Sequence, residues 1–263
     1  MSPDAAVTVR VIGIGMGAHH LTGEATKALQ GCDYLVAAQK ADTDHLLALR
    51  RDIAEAHGVP LVAVADPPRD RDAAQYVDAV RDWHHARARV YEQVLRERGG
   101  IAGFAVWGDP SLYDSTIRIL DQVGHRLPLR LEVFAGVSTP QLLAARHRIV
   151  LHEVGGSVLF TTARRLPQAL RAAHAGRTSQ PSIVVMLGDT SSLRELVLEQ
   201  RAGGQPDQLG DWHIWWGANI GTTSEQLLRG RVGEVLEQVD QAAQQARSTA
   251  GWAMQAYLLR RPA

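Results

Sequence analysis

Three scarcities narrow the possibilities before any motif is read. Only one cysteine, Cys32, occurs in 263 residues, so no disulfide framework can form within the chain and a thiolate metal cage is disfavoured. Cys32 itself lies in an apolar run and is expected to be a small core residue, not a nucleophile. Net charge is missing as well. The chain carries 28 basic and 28 acidic side chains, which leaves no global field to draw nucleic acid or an anionic membrane. Any anionic substrate has to be met by a local basic patch. No stretch approaches the ~20 apolar residues that span a bilayer, and no basic region followed by an apolar segment opens the chain. A soluble cytoplasmic protein without a bound metal is the expectation.

What is present alternates. Short β-branched runs ending in Gly or Asp clusters are followed by longer segments of helical spacing. Strands are expected at 7–12, 33–37, 61–64, 101–107 and 129–134. Helices are expected from the Thr22 cap to about residue 30, over 43–56, over the highly charged 71–98, and over 115–123. Segment 101–107 is apolar without alternation, as expected for a central parallel strand covered on both faces. After Gly136 the texture changes, with strands expected at 158–161, 183–186, 213–218 and 253–259 and a surface loop around Pro206. The pattern implies an α/β protein of two α/β domains, a parallel-sheet N-terminal domain over 1–138 and a mixed-sheet C-terminal domain over 139–263.

Two glycine-bearing loops stand at strand ends. Gly13-Ile14-Gly15-Met16-Gly17-Ala18 fits the dinucleotide fingerprint, whose glycines bring backbone up to a pyrophosphate. The acid that should hold a ribose at the end of the second strand is not in place, since Ala37-Ala38-Gln39-Lys40 stands there and Asp42 comes late. An NAD(P)-dependent oxidoreductase therefore stays open on this loop alone. Gly108-Asp109-Pro110-Ser111-Leu112-Tyr113-Asp114-Ser115 follows the central strand, where open α/β sheets place ligands. Its backbone groups, fixed by Pro110, suit a zwitterionic ligand better than a phosphate. In isolation, an Asp-Pro turn that merely starts a helix is the alternative.

Taken together and in order, the motifs resemble the precorrin and uroporphyrinogen methyltransferases. Gly-x-Gly-x-Gly is similar to their opening loop, and Gly108-Asp109-Pro110 with Ser111-Leu112-Tyr113 to their fourth-strand signature. Phe134-Ala135-Gly136-Val137-Ser138-Thr139-Pro140 is similar to their Pro-Gly-Ile-Ser/Thr turn, with Ala135 where proline is usual. Val184-Val185-Met186-Leu187-Gly188 resembles their Tyr-Met-Gly strand end, and Ala218-Asn219-Ile220-Gly221-Thr222-Thr223-Ser224-Glu225-Gln226 their Asn-Gly-Thr-x-x-Glu-Gln segment. Within the class, the likeness extends to the deacetylating branch, which methylates C1 of precorrin-5 and releases its C20 acetyl group as acetate. The first loop departs from the class, with Met16 in the place of proline and Ala18-His19-His20 after it.

The resemblance implies S-adenosylmethionine as methyl donor, bound between the two domains, S-adenosylhomocysteine as product, a small-molecule tetrapyrrole as substrate and a homodimer. It further implies donor contacts from Met16, Trp107, Gly108, Asp109, Leu112, Ser138, Thr139, Met186, Ala218, Gly221 and Thr222. Gly15 and Gly17 would face the substrate, and Arg146 and Arg148 are candidates for its carboxylates. Acetate release calls for acid–base help, with Tyr113, Asp114 and His19 ahead of His20, His152 and Glu153. The competing readings are another ring-carbon methyltransferase, a class member acting on ribosomal RNA or a modified histidine, the oxidoreductase, and a binding module without catalysis.

Overall fold

The structure is a computed structural model that describes residues 7–39, 45–68, 76–175, 181–203 and 209–262. The chain divides into two compact units, Met1–Ser138 and Thr139–Ala263.

The first unit is built on strands β1 (Val7–Gly13), β2 (Tyr34–Gln39), β3 (Leu61–Ala65), β4 (Ile101–Val106) and β5 (Leu129–Phe134). They form one parallel sheet in the order β3-β2-β4-β1-β5. Helices α1 (Gly23–Gln30), α2 (His45–Ala56), α3 (Tyr76–Arg98) and α4 (Thr116–Gly124) connect them. The unbroken apolar run of β4 is explained by its position. Ala102, Phe104 and Val106 join a cluster with Ala88, Tyr91 and Leu95 of α3 and Ile119, Leu120 and Val123 of α4. The intervening Ala105 joins Leu29 and Ile53 in a second cluster. A strand buried on both faces needs apolar side chains at every position. Each fully buried Leu or Ile contributes about 1.5–3 kcal/mol.

Local signals set the helix ends. The Thr22 side chain accepts the Ala25 N–H at 3.0 Å and caps α1. Cys32 is buried, its thiol directed to the Ala28 carbonyl, and burial pushes its pKa up. The expected helix start at Thr43, like Lys40 and Asp42, lies outside the described residues, as does the stretch 71–75 ahead of α3.

The second unit holds α5 (Thr139–His147), β6 (Val158–Thr162), α6 (Leu166–Ala175), β7 (Ser182–Met186), α7 (Ser191–Gly203), β8 (His213–Ala218), β9 (Gln226–Arg231), α8 (Val232–Ala250) and β10 (Gln255–Arg260). Its sheet runs β6-β7-β10-β8-β9, parallel only between β6 and β7. Ile183, Val185, Ile214, Trp216, Tyr257 and Leu259 pack with α6, α7 and α8 into one core. The alternate positions Val184 and Leu258 are also buried, and α5 contacts β8, β9 and β10. Trp212 and Trp216 are core residues, whereas Trp215 stacks on His213.

Two differences from the sequence reading have plain causes. Strand β9 was not expected, because Gln226, Arg229, Gly230 and Arg231 leave it little apolar alternation. It forms by pairing with β8, so the partner and not the propensity makes the strand. The last strand starts at Gln255, two residues later than expected, because Gly251 ends α8 in a left-handed conformation (φ 75°) and Trp252–Met254 is drawn into other contacts. Pro206 lies outside the described residues.

Candidate functional site

Within the first unit, the loops after β1, β4 and β5 all leave the carboxyl ends of parallel strands, where such sheets place ligands. The first two are tied to each other. Gly15 N donates to Gly108 O at 3.2 Å and Gly108 N to Gly15 O at 2.7 Å, a two-bond antiparallel bridge joining the two loops. Both glycines are left-handed, at φ 59° and 71°, a conformation that side chains resist.

The third loop closes on the same point. A methyl group on Gly136 would overlap the Gly108 carbonyl and the Gly13 backbone, and one on Gly13 would overlap Gly136. Three strand ends thus meet through bare backbone. Asp109 holds them there, its carboxylate accepting the Gly136 N–H at 2.8 Å and the Ser111 N–H at 2.9 Å. Burial pushes the Asp109 pKa up, but the Ser111 hydroxyl and the two amides outweigh it and the net shift is downward. Beside this cradle the Trp107 indole N–H is buried without a hydrogen-bond partner. Such a donor costs roughly 1–3 kcal/mol unless a bound group accepts from it.

The remaining first-unit candidates fall around these loops. Met16 is buried at 1% exposure, and Gly17 precedes a short 3-10 turn over Ala18–His20. His19 is exposed and its ring lies 4.2 Å from that of His20. Leu112 donates its amide to Asp109 O. Tyr113 is left-handed (φ 55°) and 38% exposed. Asp114 accepts the Thr116 N–H at 2.6 Å, so it serves the start of α4. Ser138, at the end of the third loop, is buried.

A pocket of about 440 Å³ belongs to the second unit. Thr139 and Met186, two of the expected donor contacts, line it together with Leu187, Gly188, Asp189, Arg247, Trp252, Ala253, Met254 and Gln255. Thioether and indole walls with a few polar groups at the edge, in a volume typical of small-ligand sites, suit a flat heteroaromatic ligand of adenine size. Leu187 is left-handed (φ 54°) and 59% exposed. An apolar side chain held in that conformation is strained, and such strain gathers at ligand sites. Asp189 is held below the ordinary carboxylate range, first by the Ser191 hydroxyl at 2.6 Å and then by the Ser191 amide.

Ala218, Gly221 and Thr222 do not line this pocket. Ala218 ends β8 fully buried, and the turn after it reaches the pocket wall through Asn219, whose amide donates to Met254 O at 2.9 Å. Arg146 already has a protein partner: its Nε lies 3.0 and 3.1 Å from the two Glu225 oxygens, and Glu225 in turn accepts the Gly221 N–H at 2.7 Å. Arg148, left-handed at φ 57°, is exposed. The sequence reading missed Trp252 to Gln255. The available signal was the Gly251 helix stop, which leaves an apolar stretch too early for the strand. Among the described residues, no group of three or more His, Cys, Asp or Glu can hold a metal, and no helix is long and apolar enough to cross a membrane.

Residues 8–236 match the tetrapyrrole (corrin/porphyrin) methylases. The chain belongs to that family. It is 37% identical over 266 residues, 97% of this chain and 95% of the relative, to precorrin-6A synthase [deacetylating] of Sinorhizobium sp. Among solved structures it resembles the putative cobalamin synthesis related protein CobF from Corynebacterium diphtheriae, at 35% identity and a TM-score of 0.77, covering 98% and 99% of the two chains. The uroporphyrin-III-C-methyltransferase of Thermus thermophilus shares the fold at 18% identity and a TM-score of 0.58, covering 97% and 92%. Family membership makes this methylase an S-adenosylmethionine-dependent methyltransferase. The Gly13 to Gly17 loop lies within the matched residues, and the dinucleotide reading gives way. Physically the fingerprint also lacks its helix, because α1 opens only at Gly23, beyond the 3-10 turn.

Proposed function

We propose that this methylase transfers a methyl group from S-adenosylmethionine to ring carbon C1 of precorrin-5 and releases the C20 acetyl group as acetate, giving precorrin-6A in aerobic cobalamin biosynthesis. The observation that carries this reading is the 37% identity, spread over 97% of the chain, to a deacetylating precorrin-6A synthase. When bound, the donor supplies an activated methyl group open to in-line displacement by an electron-rich carbon. The chain's own task is to hold and align. Effective molarity of this kind is worth up to roughly 7–11 kcal/mol, and it asks for no catalytic carboxylate.

In this reading the second-unit pocket takes the flat adenosyl part against Met186 and Met254, with Thr139 at its rim. Gly108, Asp109, Leu112 and Trp107 offer backbone groups and one unmet N–H from the first unit, beside Met16 and Ser138. Ala218, Gly221 and Thr222 act through the turn after β8. Gly15 and Gly17 face the macrocycle. Arg148 is the freer of the two candidate cations for its carboxylates, since Arg146 is engaged by Glu225.

Acetate release is a separate step. Water adds to the acetyl carbonyl, the bond from that carbon to C20 breaks, and its electron pair passes into the conjugated ring while acetate leaves. In this reading Tyr113 donates to the developing oxyanion, and His19 takes the proton from water. Asp114 supports them by fixing the start of α4. We further place the protein in the cytoplasm as a homodimer, which light scattering on the purified protein tests.

Incubation with precorrin-5 and S-adenosylmethionine, followed by product mass and acetate assay, tests the reaction. A methylated product with an equal yield of acetate is expected. Methylation without acetate sinks the deacetylating assignment and leaves a ring-carbon methyltransferase. Binding of NADH, with none of S-adenosylhomocysteine, overturns both.

A further inference from the structure

The β8–β10 ladder runs antiparallel up to the pair Ala218 and Gln255. The next pair would be residue 219 with Met254, exchanging two backbone hydrogen bonds. Only one of them is made by backbone: Asn219 N donates to Met254 O at 2.9 Å. Asn219 has turned left-handed (φ 49°), and its carbonyl faces away to receive the Thr222 N–H at 3.1 Å and the Thr222 hydroxyl at 2.8 Å. The second ladder bond is made instead by the side chain, whose Oδ1 accepts the Met254 N–H at 2.8 Å.

The other half of the amide extends the clamp. Asn219 Nδ2 donates to the Trp252 carbonyl and to Ser224 Oγ, both at 3.1 Å. The residue is fully buried, with 0% exposure. One side chain therefore grips positions 252 and 254 together, the two whose side chains flank Ala253 in the pocket wall. The chemistry is specific to asparagine. Aspartate keeps the acceptor and loses both donors, glycine keeps the left-handed turn and loses both ends of the clamp, and most other residues resist the turn itself.

We infer that Asn219 is a positioning residue of the donor pocket: it replaces the ladder carbonyl that the turn takes away, and so fixes Trp252 to Met254 in the shape that binds the adenosyl group. The inference rests on the reading of this pocket as the donor site. Asn219 touches no reacting atom, and its loss acts on donor affinity and not on the methyl step.

The test is calorimetric titration of Asn219→Gly with S-adenosylhomocysteine, beside steady-state kinetics and amide hydrogen exchange on the ligand-free protein. We expect the dissociation constant and the donor KM to rise about tenfold, the size of one to two lost hydrogen bonds, with kcat at saturating donor within about twofold. Exchange at the Met254 amide should quicken while the β7–β10 ladder stays protected. Val239→Ala, a core truncation in α8, controls for general destabilisation and should leave donor affinity unchanged. Where Asn219→Gly does not fold, Ser224→Ala decides, since it removes one of the clamp's partners and should weaken binding about threefold. Unchanged affinity in the variants, or an equal loss in Val239→Ala, overturns the inference alone. Absence of S-adenosylhomocysteine binding by the unaltered protein overturns the donor-site reading, and the inference with it.

Discussion

The two units build their candidate sites from opposite materials. In the first, Gly13, Gly15, Gly108 and Gly136 bring bare backbone from three loops together, and the Asp109 side chain organises them by accepting backbone N–H groups. In the second, the pocket is walled by Met186, Leu187, Trp252 and Met254 and shaped by the Asn219 amide. At Gly13 and Gly136 this cradle has no room for an added atom, because close-packed chain has nowhere to retreat. A side-chain wall can repack, so it loses affinity by degrees.

That contrast can be broken by substitution. Gly136→Ala should do the greatest damage, since its methyl group meets the Gly108 carbonyl and the Gly13 backbone. Overpacking of this kind should lower stability by about 3 kcal/mol, and donor affinity should fall on the order of 100-fold, as read by thermal melting and titration. A merely tenfold loss would mean the cradle yields like a wall. Tyr113→Phe should leave donor binding untouched and slow acetate release by about 100-fold, the low end of acid–base contributions. Equal slowing of methylation and acetate release would remove Tyr113 from the second step. Met254→Ala should weaken S-adenosylhomocysteine about tenfold through lost burial, with the melting temperature little changed.

A subtler separation comes from pH. Burial, and then the nearby Arg229, lower the His147 pKa despite its ring nitrogen lying 2.9 Å from the Trp216 carbonyl. Its folded-state pKa is below the unfolded value, so the unfolded chain binds the extra proton. Stability should therefore begin to fall as pH drops below about 6.5, and the second unit should feel it first. Asp109 is also depressed, but its unfolded value is about 3.9. Its contribution is intact above that pH and is lost only as pH falls through the lower folded value. Melting followed between pH 7 and 3 should show two separate losses, and His147→Gln should flatten only the upper one. Arg146→Gln, which breaks an exposed pair with Glu225, should change stability least, by about 0–1 kcal/mol.

The same contrast explains what could be seen in the sequence. The five parallel strands of the first unit were legible because β-branched runs and glycine stops are local signals, and β4 announced its central place by the absence of polar alternation. The glycine loops could be located for the same reason. Their convergence could not, since nothing near Gly136 in the chain tells that it lies on Gly108. In the second unit β9 went unseen because its partner strand makes it. The pocket wall at Trp252 to Gln255 went unseen because its form depends on Asn219, more than thirty positions earlier. Asp114 was legible as a candidate for acid–base help and Arg146 for binding carboxylates, but not their protein partners, at the α4 start and at Glu225.

The paired hydrogen bonds between Gly15 and Gly108 have a consequence for motion. Loops that cover a large flat substrate commonly open and shut, and the glycines of a first loop would be natural hinges for that. Here both are committed to each other, so the loops after β1 and β4 form one joined rim. The amides of Gly15 and Gly108 should then be among the slowest loop protons to exchange, and a macrocycle that met these loops as proposed would enter past some other element. Under the proposed function, a rim tied in this way would give the incoming ring a fixed edge to register against, as selection of one carbon on a near-symmetric perimeter requires.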